Sequence, residues 1–323
     1  MIKPSFRDIL TAQRNLGDLV RRTPLEYSPL LSRKTDCQLY LKLENWQKTG
    51  SFKVRGATNK VASLSEMERA KGLVTASSGN HGLGILFAAQ AFAGLETTIF
   101  VPETTPRGKV ERLHPLTGKL YVKGRGYDEA EQLAREFAEE REATYIHAYE
   151  DPEAIAGYGT VGLEIMSDLP KVEALLVPVG GGGLISGVAI AAKTINPRVR
   201  VIGVQSEASP SGYLSLRDGR PYERYEAAPT IAEGLAGGFG KLPFQLIKGR
   251  VEEIVLVTEA EIRAAVLALL ESDQLVVEGS GAVGVAALLF EKVDLRGKKV
   301  VAILSGGNID AELLFQIMKE RYG

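Results

Sequence analysis

Short apolar runs that alternate with longer stretches of helical periodicity constrain the fold of this chain more than any other feature. Residues 73–76, 97–101, 119–122 and 144–146, and then 174–179, 199–204, 253–257 and 299–304, read as strands, with helical patterns in most of the gaps. A parallel pair cannot be joined by a tight turn, so strands linked through helices predict an α/β protein with a mostly parallel sheet covered by helices. Eight or more such units close into a barrel or split into two open sheets, and the alternation alone fits either. Ahead of the series, residues 6–21 read as an amphipathic helix and residues 38–43 alternate as a strand does. Between residues 206 and 249 the pattern lapses into Pro- and Gly-rich sequence, which predicts loops beside a site or an interface.

With 323 residues, 45% of them hydrophobic, the chain is long enough for two lobes. Its 39 basic and 40 acidic residues leave a net charge of −1 and no electrostatic footprint for nucleic acid or an anionic membrane, which points to a small-molecule partner. Cys37 is the single cysteine, so no internal disulfide framework is possible, and His81, His114 and His147 are too far apart for a local zinc motif. A reducing, cytoplasmic setting is expected. The sequence shows no charged-then-apolar leader and no run approaching the ~18 apolar residues of a membrane span.

Four stretches carry chemistry. In Thr49-Gly50-Ser51-Phe52-Lys53-Val54-Arg55-Gly56-Ala57 a lysine sits among apolar and glycine neighbours, where a charged amine is a poor packing choice. An ammonium that loses water shifts its pKa downward, and the neutral amine can form a Schiff base or take a proton. Ser77-Ser78-Gly79-Asn80-His81-Gly82-Leu83-Gly84 follows a predicted strand and opens a predicted helix, where small residues let amides and hydroxyls approach an anion. A plain N-cap would not call for Asn80-His81.

The third stretch, Val177-Pro178-Val179-Gly180-Gly181-Gly182-Gly183-Leu184, again reads strand, glycines, helix. Four consecutive glycines sacrifice conformational entropy that a simple turn would keep, and are read as a cup of bare N–H groups around a phosphate. No Gly-Lys-Ser/Thr follows and the dinucleotide spacing is missed, so the phosphate belongs to another kind of cofactor. The fourth, Leu304-Ser305-Gly306-Gly307-Asn308, ends the last apolar strand and comes after Glu278-Gly279-Ser280-Gly281-Ala282. A serine at a strand's carboxyl end can hydrogen-bond a heterocyclic nitrogen, and none of these serines sits in a Gly-x-Ser-x-Gly elbow. A reactive amine, a phosphate cup and a hydroxyl aimed at a ring nitrogen together meet the needs of one cofactor, pyridoxal 5'-phosphate.

On these residues, and on Arg22-Thr23-Pro24-Leu25, Asp151-Pro152 and Ile155-Ala156-Gly157-Tyr158-Gly159-Thr160, the chain resembles the threonine dehydratase and serine racemase family, within the fold type II (tryptophan synthase β-like) pyridoxal-phosphate enzymes. The likeness runs nearly end to end. It favours two open, twisted, mostly parallel sheets flanked by helices over a barrel. It implies a large cofactor-binding domain of residues 1–43 and 149–323 and a small mobile domain of residues 44–148. It implies further that Lys53 carries the cofactor as a Schiff base, that Phe52 flanks the ring and that Asn80 meets the ring hydroxyl. The phosphate falls to Gly180, Gly181, Gly182 and Gly183, and the pyridine nitrogen to Ser305. Ser77, Ser78, Asn80 and His81 would grip the substrate carboxylate, and assembly as a homodimer or homotetramer is implied.

Two departures from the family pattern stand out. Members with a divalent-cation site place a Glu and an Asp after the strand at 199–204, where this chain has Gln205 and Ser211, with Glu207 nearby. Neutral oxygens bind hard cations more weakly, so no metal is expected. The sequence ends at Gly323, and neither a regulatory domain nor feedback by isoleucine is expected.

The expected reaction is deamination of L-threonine or L-serine to a 2-oxo acid with release of ammonia, Lys53 removing the Cα proton as the β-hydroxyl leaves. A neutral Ser305 makes the ring a weaker electron sink than a carboxylate would, which suits rapid β-elimination. Phe52-Lys53-Val54-Arg55-Gly56-Ala57 resembles the dehydratases and argues against β-replacement of the cysteine synthase kind. The retained lysine argues against a non-catalytic metabolite-binding protein. Ser78 matches a position where serine racemases carry serine and many dehydratases alanine, so its hydroxyl is a candidate proton donor on the face opposite Lys53, with minor serine racemase activity as the consequence. Threonine, serine and 3-hydroxyaspartate remain undivided as substrates.

Overall fold

The computed structural model describes residues 2–105, 107–113 and 118–323, so His114 lies outside the described residues. Ten strands occur among them: β1 (Leu25–Tyr27), β2 (Gln38–Lys42), β3 (Leu73–Ala76), β4 (Thr97–Val101), β5 (Lys119–Val122), β6 (Thr144–Tyr145), β7 (Ala174–Pro178), β8 (Arg200–Ser206), β9 (Glu253–Val257) and β10 (Lys299–Ile303). They form two open sheets and no barrel, one in the order β1-β2-β10-β7-β8-β9 and one in the order β5-β4-β3-β6. Every pairing is parallel except that of β1 with β2.

The larger sheet is covered on both faces, which is why β7 and β10 read as near-continuous apolar runs. On one face Leu176, Val204 and Ala302 pack with side chains of helices Glu259–Asp273 and Gly279–Leu289. On the other, Leu175, Val177 and Val301 pack with helices Pro152–Asp168 and Gly183–Ile195.

Three local expectations change. The first helix stops at Leu16, because Gly17 has φ +40° and the chain continues as a 3-10 turn, Gly17–Leu19. Its start is fixed by Ser5 and Asp8, whose Oδ2 accepts from Ser5 N at 2.7 Å. β1 was not anticipated, since three residues are too few to show a period. The stretch from 206 to 249 holds helices Ser211–Asp218 and Lys241–Ile247 as well as loops. The second of these buries Leu242, Phe244, Leu246 and Ile247, a short apolar face that the surrounding glycines and prolines concealed.

The helix that carries Lys53, Lys53–Ser63, crosses Pro152–Asp168 with the backbones nearly touching. A Cβ on Gly56 would lie 2.8 Å from Ala154 O, and one on Gly157 would lie 2.6 Å from Arg55 O, so both positions require glycine. A buried charge cluster locks the crossing. Arg55 Nε donates to Glu44 Oε2 at 2.8 Å, its Nη1 to Glu164 Oε1 at 2.6 Å, and Lys42 Nζ to Glu164 Oε2 at 2.6 Å. Two cations thus face two carboxylates in direct contact.

Candidate active site

The carboxyl ends of β3, β7 and β10 and the loop after β2 meet at a cleft of about 1080 Å³. Open α/β sheets bind ligands at this edge. All eleven residues singled out in the sequence line it: Phe52, Lys53, Ser77, Ser78, Asn80, His81, Gly180, Gly181, Gly182, Gly183 and Ser305.

Lys53 is the first residue of its helix, and its Nζ donates to Ala148 O at 3.0 Å. The amine lies 5.2 Å and 5.6 Å from the ring centroids of Phe52 and Tyr158, which meet edge to face at 4.9 Å. Burial lowers its pKa to about 8, against the opposing charge of Glu278. The loop before it is stitched to the Ser305 strap, since Phe52 N donates to Ser305 O at 3.0 Å and Gly307 N to Gly50 O at 2.9 Å.

The glycine run leaves β7 and opens helix Gly183–Ile195, with Gly182 at φ +92°. No turn, loop or side-chain hydrogen bond of the described residues takes an amide of Gly180, Gly181, Gly182 or Gly183 as donor. A Cβ on Gly181 would lie 2.3 Å from the Tyr149 ring and one on Gly182 2.5 Å from the Phe239 ring. The run therefore makes room for two aromatic side chains as well as baring its amides, and only the second role was legible in the sequence.

The Ser77 loop joins β3 to helix Asn80–Ala91, where unpaired amides and the helix dipole favour an anion. His81 behaves differently from the rest of the loop. Its Nε2 lies 3.2 Å from Ile146 O, which only accepts, so the ring is protonated there and Nδ1 is a buried acceptor without a partner among the described residues. Burial, with the Lys53 charge, lowers its pKa to about 3. The imidazole has no N–H left for a carboxylate, and what this position can offer an anion is its backbone amide.

Ser305 Oγ makes one long contact, to Ser280 O at 3.4 Å, and is otherwise available to the cleft. Gln205 Oε1 accepts from Gly212 N and Tyr213 N at 3.0 and 3.1 Å, and its Nε2 reaches Ser211 Oγ at 3.4 Å, so these two side chains are tied to each other and to the backbone.

Sequence reasoning assigned no role to two further features of the cleft. Glu278 accepts from Asn80 Nδ2 at 2.8 Å. Glu131 accepts from Arg135 Nη2 at 2.7 Å and faces His147 Nε2 at 3.4 Å; although burial opposes it, these two partners hold its carboxyl at about 2. An acid directly after the apolar run Leu275-Val276-Val277 was the one local signal for Glu278.

Residues 16–306 match the family described as pyridoxal-phosphate dependent enzymes. The chain belongs to that family. A relative named L-threonine ammonia-lyase, from Thermotoga maritima, is 51% identical over 317 residues, 98% of this chain and 78% of that one. The L-threonine dehydratase catabolic TdcB of Escherichia coli is 39% identical over 96% of this chain and 94% of that one. Among solved structures, maize serine racemase superposes with a TM-score of 0.90 at 32% identity, covering 99% of this chain and 98% of that one.

The residues present fit the family's cofactor. Its phosphate needs several donors at one point, and the four glycine amides have no hydrogen-bond partner found among the described residues. Its carbonyl needs a primary amine, which Lys53 presents, and its ring nitrogen needs a partner, which the lightly engaged Ser305 hydroxyl can be.

Proposed function

We propose that the chain is a threonine/serine ammonia-lyase that converts L-threonine or L-serine to a 2-oxo acid and ammonia. The observation that carries this reading is Lys53, an amine held beside two aromatic rings at the cleft with its pKa lowered to about 8, so that a useful fraction is neutral near pH 7 to 8. The names of the relatives support the choice of substrate.

When bound, pyridoxal phosphate supplies a carbonyl carbon for the substrate amine and a conjugated ring that draws electron density from Cα. Lys53 holds the cofactor and then, as free amine, takes the Cα proton. The hydroxyls of Ser77 and Ser78 and the amides that open helix Asn80–Ala91 orient the substrate carboxylate. Ser305 meets the ring nitrogen without a charge and so favours prompt loss of the β-hydroxyl. Residues 44–148 act as the mobile lobe, closing on the larger one to exclude water.

The protein is read as a cytoplasmic homodimer or homotetramer. Tyr27, Leu30, Trp46 and Val276 are 45 to 48% exposed, large apolar side chains to leave in water. Buried, unpaired Cys37 suits a reducing compartment. The test is to offer purified holoenzyme L-threonine, L-serine and 3-hydroxyaspartate and to measure 2-oxo acid and ammonia, expected in equal amounts from the first two. No 2-oxo acid from any of the three, or faster turnover of O-acetylserine with sulfide, would overturn the reading.

A further inference from the structure

Asn80 is held by a relay that allows one orientation. Asn308 Nδ2 donates to Thr49 O at 2.9 Å and to Asn80 Oδ1 at 2.7 Å, and Asn80 Nδ2 donates to Glu278 Oε1 at 2.8 Å. A backbone carbonyl only accepts, so Thr49 determines which end of the Asn308 amide it faces. Asn308 must then give its second N–H to the Asn80 oxygen, and Asn80 must turn its nitrogen toward Glu278. One N–H of Asn80 is left, and no other hydrogen bond found among the described residues uses it.

The seat of Glu278 is built for this contact. Its backbone N donates to Gly306 O at 3.1 Å, and a Cβ on Gly306 would lie 2.5 Å from Glu278 Oε1 and 3.2 Å from Asn80 Nδ2. Glycine alone admits the pair. Burial raises the Glu278 carboxyl to about 7, while Asn80, the Asn308 backbone and Lys109 hold it down, Glu233 pushes it up and Lys53 stands across the cleft. No ion pair of the described residues includes Glu278, so a carboxyl is buried here without the compensation that Arg55 gives Glu44.

We propose that Glu278 is a positioning residue: as the terminal acceptor of the Thr49–Asn308–Asn80 relay, it aims the one free N–H of Asn80 at the ring oxygen of the cofactor. The proposal rests on the reading of Asn80 as the residue that meets that oxygen. Acting through Asn80 has a signature that plain structural support lacks, because removal of Glu278 has nothing further to disturb once Asn80 is gone.

The experiment is a double-mutant cycle on the full chain, with cofactor affinity read from the visible absorption of the holoenzyme on dilution. Asn80→Ala and Glu278→Leu are each expected to weaken cofactor binding about 10-fold, the loss of one hydrogen bond to a charged oxygen. The double variant should bind no more than about 3-fold more weakly than Asn80→Ala alone. Glu278→Gln keeps an acceptor and should retain both the affinity and the absorption maximum of the parent. Full additivity in the cycle, no loss in Glu278→Leu, or a Glu278→Gln variant as weak as Glu278→Leu would each overturn the proposal while leaving Asn80 in place. Unchanged affinity in Asn80→Ala would remove the premise, and the proposal with it. Should Glu278→Leu not fold, Asn308→Ala breaks the relay from its other end, and the same loss of additivity with Asn80→Ala is required.

Discussion

Lys53→Met is expected to end catalysis and, in the cofactor-free protein, to raise stability. The amine's pKa falls from 10.5 to about 8 on folding, chiefly through burial. At ~1.36 kcal/mol per pKa unit this is a cost of about 3 kcal/mol wherever the lysine is charged in both states. The Nζ bond to Ala148 O and the open side of the cleft reduce it to roughly 2–3 kcal/mol. Methionine is unbranched and similar in length, so it can lie against Phe52 and Tyr158 without that cost. Below pH 8 the deficit of the parent is constant. Between pH 8 and 10.5 the unfolded chain binds more protons than the folded one, so the parent gains stability with pH and the variant does not. Glu278, near 7, has titrated before this window opens. Urea unfolding of both cofactor-free proteins from pH 7 to 10.5 should show the variant ahead at pH 7 and the gap closing toward pH 10.5. A parent as stable as the variant at pH 7, or a gap independent of pH, would refute the reasoning.

Three further outcomes are expected. Arg55→Met leaves Glu44 buried without its partner and should cost about 3–5 kcal/mol in urea unfolding, unchanged stability showing that the cluster is neutral to folding. Gly181→Ala places a methyl 2.3 Å from the Tyr149 ring, so the melting temperature of the cofactor-free protein and the cofactor affinity should both fall; loss of affinity alone would confine the glycine to the phosphate. Ser78→Ala should remove D-serine formation from L-serine while sparing much of the elimination, and equal loss of the two would mean a shared role in gripping the carboxylate.

What the sequence revealed follows from the range of each interaction. β3, β4, β5 and β9 appear at the expected bounds, because a short, largely apolar run of four or five residues between turn-forming breaks is a local signal. The division into two sheets is not local, and it came from the likeness to a family. The four motifs were legible for the same reason as the strands: each is a strand end or loop, small residues and a helix start within about a dozen residues. Glu278 was not, since its partner Asn80 is 198 residues away and its seat depends on Gly306. The setting of the His81 ring was not legible either, because only the fold places Ile146 O against it.

Lys53 and Arg55 stand two residues apart on one helix, and the fold treats their charges in opposite ways. Arg55 draws both Glu44 and Glu164 into bonds of 2.6 to 2.9 Å, and its pKa rises despite complete burial. Lys53 receives a carbonyl and two ring faces, and the carboxyl whose charge acts on it, Glu278, is itself raised to about 7 by burial. Had either carboxylate of the Arg55 cluster turned toward the cleft, the Lys53 ammonium would be stabilised and the neutral amine lost. Residues two apart on a helix project about 200° from one another, and neither Glu44 nor Glu164 contributes to the shift of Lys53, which comes from burial against Glu278. The cluster that fixes the helix crossing and the amine that can accept a proton therefore keep separate surroundings within one helical turn.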